Sequence, residues 1–164
     1  MAEITILALD ASSTNIGYCV SHSPETYLRS GVYSPRGNAE ARFRKIVFWI
    51  VKALSTYKPT IVAIEEPAGD HGNRKTDRLL SRIVGAIEAV AVLRGVERVV
   101  RVYPATVKAT GFHKGATDTV AAMVQGWTRT ATRPVVGEDE ADAIGVWLAT
   151  EAMLSGERIA RHAG

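Results

Sequence analysis

The chain has 164 residues, 46% hydrophobic and 23% charged, with a formal net charge of +3 and a pI of about 9.2. That length suits one domain with one sizeable core, and the composition is that of a globular chain rather than a disordered or fibrous one. No apolar run reaches the ~18 residues a membrane span needs, and MAEITILALD lacks the basic start, apolar stretch and small-residue cleavage site of a secretory leader.

Residues 3–10 (EITILALD) form a short apolar run ending in Asp10, the pattern of a buried strand. Residues 16–22 (IGYCVSH) and 26–34 (TYLRSGVYS) read as two further strands around a turn at Ser23, Pro24 and Glu25, so an antiparallel meander is expected. Cys19 is the single cysteine; it cannot close an internal disulfide and reads as a small core residue. Over 39–57, Phe43, Ile46, Val47, Ile50, Val51 and Leu54 recur at helical spacing, and Pro59 closes that element. Residues 60–65 (TIVAIE) form a second wholly apolar strand, again ending in a carboxylate. A polar loop, 67–73, precedes a long helix over 75–94, with Gly95 as its stop. A strand at 97–103 runs up to Pro104. Helices at 117–129 and 139–154, separated by the loop TATRPVVGE, finish the chain. The order βββαβαβ followed by helices predicts an α/β domain over 1–164, a mixed sheet with helices on its faces.

Where the acids stand matters more than how many there are. Asp10 and Glu65 each end a buried strand, the place where open α/β sheets hold their ligands. In GEDEADAIGVWL, Asp139 and Asp142 are three apart, which on a helix puts both on one face near the N-terminus, where negative charge is favoured. Carboxylates gathered at one edge repel each other unless a hard divalent cation joins them, and Mg²⁺ prefers oxygen donors. His22, His71, His113 and His162 have no zinc-like spacing. Each acid also has an ordinary reading: Asp10 as a turn residue, Glu65 and Glu66 as an exposed strand end, Asp139 as a helix cap, Asp142 as a surface acid. Basic residues concentrate elsewhere, at Arg36, Arg42, Arg44, Lys45 and Lys52 and again at Arg74, Lys75, Arg78 and Arg82. A basic surface around an acidic pocket suits a phosphodiester-cutting enzyme.

The runs ILALDASSTNIGYCV, VAIEEPAG, RLLSRIVGAIEAVAVLRG, VYPATVKATGFHKGATDTVAAMV and DEADAIGVWLA, in that order, resemble the RuvC family of Holliday junction resolvases, most like its phage-encoded members. The resemblance covers residues 4–153. It implies a ribonuclease-H-like fold with a mixed five-stranded sheet, and a Mg²⁺-dependent endodeoxyribonuclease (Mn²⁺ substituting) of DNA recombination and repair. The implied catalytic and metal-holding tetrad is Asp10, Glu65, Asp139 and Asp142. It also implies a homodimer that nicks a four-way junction symmetrically, with the apolar helix 79–93 as the subunit contact, working in the cytoplasm of a bacterial or phage-infected cell. Arg74, Lys75, Arg78, Lys108 and Lys114 are the candidate phosphate contacts. The family often has a basic residue where this chain has Asp118, with Lys114 as a substitute, and an aromatic in the loop that here reads PAGDHGNRK, where His71 or Arg74 would stack instead. Within Glu65–Glu66 the family pattern favours Glu65. The competing readings are a flap nuclease or ribonuclease H on the same fold, a non-catalytic nucleic-acid-binding domain, and an actin-like ATPase fragment.

Overall fold

A computed structural model describes residues 4–21, 28–67, 74–109 and 137–162. Its strands are β1 (Ile6–Ala11), β2 (Ile16–Ser21), β3 (Leu28–Tyr33), β4 (Ile61–Glu65) and β5 (Arg98–Val102). Its helices are α1 (Ala39–Tyr57), α2 (Arg74–Leu93), α3 (Pro104–Ala109) and α4 (Glu138–His162). The strands form one sheet in the order β3-β2-β1-β4-β5. The meander β1–β2–β3 is antiparallel, whereas β4 pairs parallel with both β1 and β5. This is the mixed five-stranded sheet expected from the sequence. The expected turn at 23–25 and helix at 117–129 lie outside the described residues.

Alternate residues of a strand face opposite sides of a sheet, and here the two sides carry separate cores. Leu7 and Leu9 of β1 join Val62 and Ile64 of β4 against Ile46, Ile50, Ile83, Val84 and Ile87 of α1 and α2. Ile6 and Ala8 join Cys19, Ile61 and Ala63 against Ala141, Ala143, Ile144 and Trp147 of α4. On the α4 side, the Trp147 indole N–H donates to Ser21 Oγ at 2.7 Å, a buried bond that fixes the helix along β2. On the other side, Asn38 caps α1 by accepting from the Ala41 N–H at 2.9 Å. Lys58 ends that helix in the left-handed region at φ 46°.

Three elements differ from expectation. α3 is a six-residue helix with Pro104 in its first position, where a missing N–H costs nothing; one and a half turns are too short to show periodicity. α4 runs on to His162, eight residues past the predicted end. α2 is not apolar all round. Leu80, Ile83, Val84, Ile87 and Ala91 are buried, while Arg74, Lys75, Arg78, Ser81, Arg82 and Gly85 are exposed. Only its last turns, with Ala89, Val92 and Leu93, combine apolar character with exposure.

Candidate active site

The strand parity decides where the first two acids point. Ile6, Ala8 and Asp10 share one face of β1, and Ile61, Ala63 and Glu65 share the same face of β4, the one covered by α4. Leu9 pairs with Ile64 in the parallel ladder, so Asp10 and Glu65 are the next residues along neighbouring strands. Their side chains come within hydrogen-bonding range of each other. Burial, followed by the charges of Glu65, Asp142 and Asp139, pushes the Asp10 carboxyl well above the usual carboxylate range. Burial also raises Glu65; the Asp10 hydrogen bond opposes this, the charge of Asp142 adds to it, and Lys108 opposes it. Asp10 and Glu65 line a cleft of about 170 Å³ with Ala11, Glu66, Pro67, Leu80 and Pro104. A larger cleft of about 480 Å³ lies around Lys58, Thr60, Arg94 and Glu97, beyond the other ends of the strands, and gathers no group of acids.

Asp139 reaches this edge because Gly17 lets it. Gly17 lies opposite Asp10 in the β1–β2 ladder. A Cβ there would overlap the main-chain carbonyl oxygen of Asp139, so the first turn of α4 rests directly on the β2 backbone. Asn15 then donates from Nδ2 to Asp139 Oδ2 at 2.9 Å. The neighbouring Glu140 turns the other way, is only 1% exposed, and accepts from Ser30 Oγ at 2.7 Å. One helical turn thus carries two acids toward the cleft edge and a third into the sheet.

Glu66 is engaged elsewhere. Arg101 donates through Nη1 to both Glu66 oxygens, at 3.0 and 2.9 Å, and through Nε and Nη2 to Glu88 at 2.6 and 2.7 Å. That network gives Glu66 a role tying β4 to β5 and α2, and leaves Glu65 as the member of the pair that faces Asp10.

Of the candidate phosphate contacts, Lys108 on α3 is exposed and close enough to Glu65 for its charge to oppose part of the rise that burial imposes on that carboxyl. Arg74, Lys75 and Arg78 are exposed along the first turns of α2. Lys114 lies outside the described residues, as do His71 and Asp118. The residues that sequence reasoning missed are Asn15, Gly17, Arg101 and Glu140. Only Gly17 had a local signal, as a glycine inside a strand pattern.

The donor set fits a hard divalent cation: four carboxylates, all oxygen, beside a cleft, with no competing sulfur or imidazole at hand among the described residues. Among the described residues, no three acid, histidine or cysteine side chains already form a metal cage. Asp10 and Glu65 are turned to each other and Asp139 to Asn15, so a cation would have to draw the carboxylates together to recruit them.

The sequence matches the family described as crossover junction endodeoxyribonuclease RuvC over residues 6–150. The chain belongs to this family. It is therefore a junction-resolving endonuclease by descent, in a family that generally depends on a divalent metal. Its fold is similar to that of Thermus thermophilus RuvC in complex with a Holliday junction substrate (TM-score 0.73, 19% identity, covering 89% of this chain and 91% of that one). A second Thermus thermophilus RuvC structure matches with a TM-score of 0.69 at 19% identity, covering 89% of this chain and 92% of that one. The yeast mitochondrial Holliday junction resolvase Ydc2 matches at 0.61 and 13%, covering 95% of this chain and 82% of that one. No curated protein matches. Among the described residues, no helix is long and apolar enough to cross a membrane.

Proposed function

We propose that this RuvC-family chain, as a single nuclease domain, resolves four-way DNA junctions with Asp10, Glu65, Asp139 and Asp142 as its catalytic, metal-holding acids. The observation that carries the reading is the placement of Asp10 and Glu65 at neighbouring ends of β1 and β4 with the first turn of α4 beside them, where burial, and then the charges of Glu65, Asp142 and Asp139, hold the Asp10 carboxyl well above its usual range. The preferred ion is Mg²⁺, with Mn²⁺ as a substitute. Bound divalent ions supply activation of the attacking water and stabilisation of the leaving 3′ oxygen.

The protein's own residues do the rest. Glu65 and Asp10 hold the carboxylate oxygens at adjacent strand ends, so their separation is set by the ladder rather than by a loop. Lys108 stands beside Glu65 and meets the phosphate nearest the cleft. Arg74, Lys75 and Arg78 continue the positive surface along α2, and Lys114 is proposed to join them. Charge is divided between the two helical layers: α1 carries Arg42, Arg44, Lys45 and Lys52 against Glu40, whereas the first turn of α4 is acidic. Phosphate contacts of this kind position the duplex without reading its sequence.

Cutting both strands of a junction requires two such sites related by a two-fold axis, which a homodimer supplies. The helix segment 79–93 is the proposed contact, through the exposed Ala89, Val92 and Leu93. The four-way junction is the proposed substrate by analogy with the Thermus thermophilus complex, and the proposed setting is the cytoplasm of a bacterial or phage-infected cell. A labelled synthetic junction, offered with Mg²⁺ and with EDTA beside a flap and an RNA–DNA hybrid, tests this. Paired symmetric nicks on the junction, dependent on Mg²⁺, are expected. Equal cutting of all three substrates would overturn the junction assignment, and cutting in EDTA would overturn the metal assignment.

A further inference from the structure

We infer that Asn15 is a positioning residue for Asp139, and that by engaging one of its carboxylate oxygens it sets which divalent ion the site prefers. The inference rests on the proposed role of Asp139 as a metal ligand.

The Asn15 amide is not free to wander. Its backbone N–H donates to Ser12 Oγ at 2.9 Å, and its carbonyl accepts from the Ser12 N–H at 2.9 Å and from Ser12 Oγ at 3.1 Å. These bonds close the turn between β1 and β2 without using the Asn15 side chain, which is left to donate to Asp139 Oδ2 at 2.9 Å across the part-buried gap to α4. The Asp139 main chain is seated on Gly17 at the same time. Backbone contact and side-chain hydrogen bond therefore fix this carboxylate from two directions.

The chemistry follows from which oxygen is occupied. With Oδ2 receiving an N–H, Asp139 presents Oδ1, which has no hydrogen-bond partner among the described residues, as its open donor. Mg²⁺ demands near-octahedral geometry, keeps several waters and is served by single-oxygen carboxylate ligands, whereas Ca²⁺ takes six to eight oxygens and readily uses a carboxylate through both. A carboxylate with one oxygen already engaged by an N–H is biased toward single-oxygen ligation, which favours the smaller ion. An amide performs this restraint without adding charge. A lysine or arginine in its place would neutralise Asp139 and compete with the cation, and an aspartate would add repulsion.

The test is titration of the metal-free protein with Mg²⁺ and, separately, Ca²⁺, followed by thermal unfolding without DNA. Asn15→Ala should weaken Mg²⁺ affinity by about 10–100-fold, the usual cost of losing a hydrogen bond to a metal ligand, and should weaken Ca²⁺ affinity less, so that the Mg²⁺/Ca²⁺ preference falls. In cleavage, the Mg²⁺ concentration for half-maximal rate should rise by a similar factor while the rate at saturating Mg²⁺ largely recovers. Asn15→Ser keeps a turn-forming side chain too short to reach Asp139; it should reproduce these shifts even if the alanine variant folds poorly. If either folded variant loses metal-free stability but its two titrations superimpose on those of the wild type, the bond is structural only and the inference is overturned. A wild-type chain that gains no stability from either ion overturns the metal-site reading itself, a distinct failure.

Discussion

Asp10→Asn keeps the size of the side chain at the end of β1 and removes its charge. Folded, the Asp10 carboxyl is pushed well above its usual range by burial and then by Glu65, Asp142 and Asp139. A group whose proton affinity rises on folding destabilises the native state whenever the solution forces it to ionise. The penalty is therefore present above its folded pKa and is relieved as the pH falls through that value toward the unfolded one. Two carboxylates at hydrogen-bonding range, both charged, would repel by roughly 4 kcal/mol at an effective dielectric of ~20. Partial solvation and relaxation reduce this figure, so about 1–2 kcal/mol is the expected gain from neutralising Asp10. For a chain of this size that raises Tm by roughly 2–8 °C. In EDTA at neutral pH the variant should thus melt above the wild type, with the gap narrowing as the pH falls. With Mg²⁺ the order should reverse, because only the wild type gains stability, and junction cleavage by the variant should fall to background. A variant less stable than the wild type without metal, or one that gains as much from Mg²⁺, would refute the picture of crowded acids relieved by a cation.

Glu65→Gln should abolish cleavage at any Mg²⁺ concentration, while Glu66→Gln, which weakens only the Arg101 network, should keep most activity and lower Tm by a few degrees; the reverse ranking in a cleavage assay would reassign the pair. Gly17→Ala forces the first turn of α4 off the β2 backbone. It should cost about 1–3 kcal/mol in denaturant unfolding, and about 100-fold in cleavage rate for a displacement near 1 Å. Lys108→Ala and Arg78→Ala should each weaken junction binding and flatten its dependence on salt by about 0.9 in log–log slope; slopes identical to the wild type would remove these residues from the DNA contact.

The fold and half of the site were legible in the sequence for a definite reason. Both Asp10 and Glu65 end wholly apolar strands, and their alternation with Ile6 and Ala8, and with Ile61 and Ala63, already places them on like faces. The helical spacing of Asp139 and Asp142 was equally visible. What brings that helix to that edge was not, because the seat on Gly17 and the Asn15 hydrogen bond join residues more than 120 positions apart. Arg101 illustrates the same limit: its partners Glu66 and Glu88 come from the end of β4 and from α2, and no local pattern pairs them. The segment 79–93 reads as apolar because its buried residues dominate the count; its exposed Ser81, Arg82 and Gly85 sit at spacings that leave the inner face intact.

The central claim is that Asp10, Glu65, Asp139 and Asp142 close on the same divalent ions. Anomalous diffraction from crystals soaked in Mn²⁺ measures this most directly. The account predicts strong peaks between the ends of β1 and β4 and the first turn of α4, within coordination distance of Asp10 and Asp142. Full occupancy of Mn²⁺ elsewhere on the protein, with that gap empty, would contradict it.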